Sequence, residues 1–99
     1  MTVTPARGDA IALTRNLVAI DSRNPSLVSD GPGESACARS LALTLEHWGF
    51  RVEIQETVAN RPNVVARIGR AGGRTVLFNG HLDTVGVEGM AHAPWDAEV

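Results

Sequence analysis

The stretch Thr75-Val76-Leu77-Phe78-Asn79-Gly80-His81-Leu82-Asp83-Thr84-Val85 decides how the rest of the chain is read. Thr75 to Phe78 are β-branched, branched or aromatic residues, the composition of a strand. The strand expected here is apolar on both faces, a pattern of strands that are covered on both sides. It runs into a His-x-Asp pair. On an extended backbone, side chains two apart point to the same face. His81 and Asp83 are therefore expected side by side, with Leu82 turned the other way. A histidine that ligates a metal through one ring nitrogen commonly donates its other N–H to a carboxylate. The pair thus suggests His81 as ligand and Asp83 as its orienting partner. Taken singly, each has an ordinary reading, His81 as a solvated polar group and Asp83 as a turn residue.

Working outward, Thr4 and Pro5 suggest a helix start by their capping and first-turn preferences. Ile11, Thr14, Leu17 and Val18 recur at helical spacing and predict a core-facing stripe. Asn24-Pro25 ends that helix near Asp21, because the residue before proline disfavours helical geometry. Residues 21–33 are rich in turn formers and read as a loop. A second helix is expected from about Glu34 to Trp48, with Ala38, Leu41, Ala42, Leu45 and Trp48 on one face and Gly49 ending it. Arg51 to Val58 alternates polar and apolar as a half-exposed strand does. Asn60 to Asn63 is a turn, Val64 to Ile68 a second strand, and Gly69 to Arg74 a connection to the third. The order is helix, helix, strand, strand, strand, then an irregular tail from Gly86 to Val99. This is an α/β arrangement of two helices on a mixed sheet.

Composition narrows the function classes. The chain has 99 residues, a net charge of −2 and no lysine, so a nucleic-acid surface is not expected. No apolar run approaches the roughly 18 residues of a membrane span, and the N-terminus lacks a secretory signal. A single cysteine, Cys37, excludes an internal disulfide and fits a reducing, cytoplasmic setting. It reads as a small packing residue. Trp48 reads as core, Trp95 as a packing anchor, and His47 as a cation that suits the end of the second helix. His92 and Asp96 have an i, i+4 spacing and could join His81 and Asp83 as metal-capable groups. Pro94 between them breaks the helix such a site would need.

Several stretches together resemble the co-catalytic zinc deacylases and exopeptidases, the family of acetylornithine deacetylase, succinyl-diaminopimelate desuccinylase, aminoacylase and carboxypeptidase G. Asn79-Gly80-His81-Leu82-Asp83-Thr84-Val85 is similar to the first metal motif of that family. Leu17 to Pro25 resembles its first helix and a Ser-x-Asn-Pro loop. Glu46 to Phe50, ending Trp48-Gly49-Phe50, resembles the end of its second helix. Arg61-Pro62-Asn63-Val64-Val65-Ala66 is similar to the start of its next strand. Gly86 to Met90 with Ala93-Pro94-Trp95 looks closest to bacterial members of the deacetylase and desuccinylase branch.

The resemblance implies that His81 is a zinc ligand and Asp83 the acid that orients it. It implies zinc, two ions per site, with cobalt as a possible substitute, and a homodimeric parent acting on small N-acyl amino acids. It also implies a bridging aspartate, a paired-glutamate motif with the general base, a further acidic ligand and a late histidine. These have no counterpart in residues 1–99, and neither does the lid or dimerisation domain. The expectation is thus the N-terminal part of a zinc-exopeptidase-like catalytic domain, inactive alone and a weak zinc binder. The rival expectation is a non-catalytic interaction module, or one half of a split enzyme completed by a second chain.

Overall fold

The computed structural model describes residues 3–97. It contains helix α1 (Ala10–Val18), helix α2 (Ser35–His47) and two strands, β1 (Arg51–Gln55) and β2 (Asn63–Arg67). The strands form a two-stranded antiparallel hairpin in which Val52 faces Ala66 and Ile54 faces Val64. Helix α2 packs on both strands, and α1 leans on α2. No helix among the described residues is long and apolar enough to cross a membrane.

α2 follows its sequence closely. Ala38 and Ala42 are almost fully buried and Trp48 nearly so, while Leu41 and Leu45 are half-buried on the same face. Gly49 takes φ +98°, the left-handed geometry that glycine adopts without a Cβ penalty, and so ends the helix. His47 lies in the last turn and Cys37 is buried in the core, as their residue types suggest. The Trp48 indole N–H donates to the carbonyl of Pro5 at 2.9 Å, which binds the N-terminal segment to the end of α2.

α1 begins later than Thr4 and Pro5 suggest. Pro5 is buried, Gly8 adopts φ +82°, and the helix starts at Ala10. Asp9 is the cap, its carboxylate accepting from the Ala12 N–H at 3.0 Å. The expected core-facing stripe is also not buried: Ile11 is 68% and Val18 42% exposed, and no residue of α1 is buried. The tail meets this face only loosely, with the Arg15 Nε–H donating to the Ala97 carbonyl at 2.8 Å.

The third strand is the main correction. Residues 74–80 are all exposed and form no strand, and no backbone hydrogen bond joins them to β2. Strand propensity reflects packing on a pleated surface, and an extended segment without a ladder partner gains none of it. The sheet is therefore antiparallel rather than mixed. The one parallel contact among the described residues is an isolated bridge between Arg23 and Thr84.

Candidate functional site

The Arg23–Thr84 bridge brings the Asp21–Asn24 loop to the His-x-Asp segment. The Thr84 N–H donates to the Ser22 carbonyl at 3.0 Å, and the Asn24 N–H donates to the Thr84 carbonyl at 2.9 Å. The buried Ser22 hydroxyl adds a bond to the Leu82 carbonyl at 2.9 Å. These three bonds alternate along both segments and hold residues 82–84 although they belong to no sheet. Asp21 and Asp30 both pair with Arg23, whose guanidinium lies 5.5 Å from the Trp95 ring centre. Trp95 thus anchors the tail to this loop by a cation–π contact.

His81 Nδ1 lies 2.9 Å from the Asp83 carbonyl oxygen and 3.2 Å from Asp83 Oδ1. A carbonyl oxygen and an ionised carboxylate only accept, so Nδ1 carries a proton, and in the neutral form of the ring Nε2 is the nitrogen with the lone pair. The His81 side chain is 83% exposed, which leaves Nε2 open to solvent. Asp83 is held more firmly. Its Oδ2 accepts from Asn24 Nδ2 at 2.8 Å, and Arg61 Nη2 stands 3.9 Å away. The Asn24 bond is the main reason that the Asp83 carboxyl lies below the usual carboxylate range, helped by the His81 ring beside it.

Arg61 reaches this point because of the turn before β2. Its guanidinium also pairs with Glu34, a carboxylate that is largely buried at the start of α2. Asn60 adopts φ +63°, and its carbonyl accepts from the Glu34 N–H at 3.1 Å. Gly33 passes so close to that carbonyl that a Cβ would overlap it, and its own φ is +79°. Glycine is required there on both counts. A groove of about 680 Å³ opens between this cluster and β2, lined by Glu34, Leu45, Val64, Phe78, His81 and Asp83 among others.

The motif alone does not reveal Asn24, Ser22 and Arg61 as neighbours of Asp83. The one signal for them is that Ser22, Asn24 and Arg61 lie within two of the other family-like stretches. His92 and Asp96 lie away from the pair: His92 turns Nδ1 to the Ala93 carbonyl, and both line a shallow recess against Ile11, Arg15 and Val18. Among the described residues no group of three or more His, Cys, Asp or Glu side chains is placed to hold a metal ion. The donor set fits one arm of a metal site: an imidazole with an exposed Nε2 and an Nδ1 oriented by Asp83. Comparison with known protein families, curated proteins and solved structures finds no match.

Proposed function

We propose that this chain contributes part of a cytoplasmic metal-dependent amide hydrolase acting on small N-acyl amino acids, with His81 as a zinc ligand through Nε2 and Asp83 as its orienting acid. The carrying observation is the His81–Asp83–Asn24 chain of contacts, which turns one imidazole nitrogen to Asp83 and leaves the other exposed. Zinc bound there would polarise a carbonyl or a water, and cobalt would serve similarly. Asp83 holds the proton on Nδ1 and increases the basicity of Nε2. Catalytic zinc takes about three protein ligands, so the remaining ligands and the general base come from outside this group of residues.

A second reading, an interaction module, is favoured by one observation. Val76, Leu77 and Phe78 are 76%, 85% and 91% exposed in succession. Apolar runs left open in this way commonly mark contact surfaces.

The test is hydrolysis of N-acetyl amino acids by the chain, alone and co-expressed with a second chain that carries further carboxylate and histidine ligands. Metal-dependent turnover that disappears in His81→Ala supports the hydrolase. A stable complex that forms without turnover, and equally well with His81→Ala, supports the module instead.

A further inference from the structure

Asn24 lies far from the His-x-Asp motif in sequence, 59 residues before Asp83, yet its side chain touches the motif directly. Its amide orientation is set from two sides. Asn24 Oδ1 accepts from the Ser26 N–H at 2.8 Å, a group that can only donate. Nδ2 is thereby turned to Asp83 Oδ2, which as a carboxylate can only accept. The backbone of Asn24 is fixed as well, through its bond to the Thr84 carbonyl. With Oδ2 occupied by Asn24, the other carboxylate oxygen, Oδ1, faces His81 Nδ1.

We propose that Asn24 is the positioning residue of the pair: by holding Oδ2 it turns Oδ1 to His81 and locks the imidazole in its Nδ1–H tautomer, with Nε2 presented to a ligand. His81 itself is too exposed for packing to orient its ring, so the orientation comes from Asp83, through its backbone carbonyl at 2.9 Å and its Oδ1 at 3.2 Å, and Asn24 acts on the second of these contacts. This inference deepens the metal-ligand reading and rests on it for its chemical consequence, but the tautomer itself is measurable without metal.

The experiment uses the full chain with ¹⁵N-labelled histidine at about pH 8, above the ordinary imidazole pKa of roughly 6.5. Long-range ¹H–¹⁵N correlation reports which ring nitrogen of His81 bears the proton. The unaltered chain is expected to show predominantly Nδ1–H. Asn24→Ala should move the population toward Nε2–H. Asn24→Asp keeps the acceptor for the Ser26 N–H but loses the donor to Asp83, so it should do the same with the turn intact. Titration with zinc chloride should shift Nε2 of His81, with affinity lowered about 10–100-fold in both variants, the usual effect of removing such a partner.

Predominant Nε2–H in the unaltered chain overturns the proposal with no variant needed. An unchanged tautomer in a folded Asn24→Asp overturns it too. An Asn24-dependent tautomer with no zinc effect on Nε2 upholds the positioning role and removes the metal-ligand reading, so the two failures are separable.

Discussion

Arg61 bridges two carboxylates, pairing with Glu34 at the start of α2 and standing 3.9 Å from Asp83 beside His81. One guanidinium thus joins the turn before β2, the first turn of α2 and the candidate site. The partners differ in burial, since Glu34 is nearly enclosed and Asp83 about one quarter exposed.

Arg61→Ala should therefore act mainly by stranding Glu34. Removing one member of a buried pair costs about 3–5 kcal/mol, and the partial exposure of Arg61 lowers this to about 2 kcal/mol. Arg61→Met combined with Glu34→Leu should recover most of the loss, because an apolar pair of similar volume replaces the ions at little cost. Urea unfolding of Arg61→Ala and of the double variant checks both values.

Gly33→Ala should destabilise by well over 1 kcal/mol, since the new Cβ meets both the Asn60 carbonyl and a positive φ. Gly72 has φ +86° with nothing within 4 Å, so Gly72→Ala meets the backbone penalty alone, about 1 kcal/mol. Thermal melts of the two variants should separate accordingly.

The hydrogen bond from Arg23 holds the Asp21 carboxyl below its ordinary range, against the opposing effect of burial. A carboxylate whose pKa is depressed on folding stabilises the protein above its unfolded value, near 3.9, and that contribution fades as pH falls through the lower folded value. The unfolding free energy should thus lose this contribution below about pH 4. In Asp21→Asn the difference from the unaltered chain should be largest at neutral pH and shrink toward pH 2. Denaturant curves across that range measure it.

Phe78 is 91% exposed, so Phe78→Ser should change stability by less than about 0.5 kcal/mol. It should at the same time reduce self-association, because it interrupts the apolar run Val76-Leu77-Phe78. Sedimentation velocity at rising protein concentration, beside a urea curve, reads both effects.

Ser22→Ala removes the bond to the Leu82 carbonyl and should cost about 1 kcal/mol. Amide exchange should rise at Thr84, whose N–H bonds to the same loop, more than in the centre of α2.

α2 and the β1–β2 hairpin were legible from the residues alone because their signals are local. Ala38, Ala42 and Trp48 repeat at helical spacing, Gly49 stops the helix, and the polar–apolar alternation of β1 needs only the hairpin turn to be satisfied. The segment from Thr75 to Phe78 has an equally strong local signal and still forms no strand, because a strand exists only with a hydrogen-bonded neighbour. The start of α1 departs from its local signal for a smaller reason: Thr4 and Asp9 are both good caps, and the left-handed turn at Gly8 places Asp9 at the cap.

By itself, then, the sequence determined α2, the hairpin and the two-residue spacing that makes His81 and Asp83 a candidate pair. The tertiary structure decided what surrounds the pair. Asn24, Ser22 and Arg61 come to Asp83 through hydrogen bonds between segments far apart in the chain. Such contacts depend on where loops are held in space, and local propensity carries no record of that.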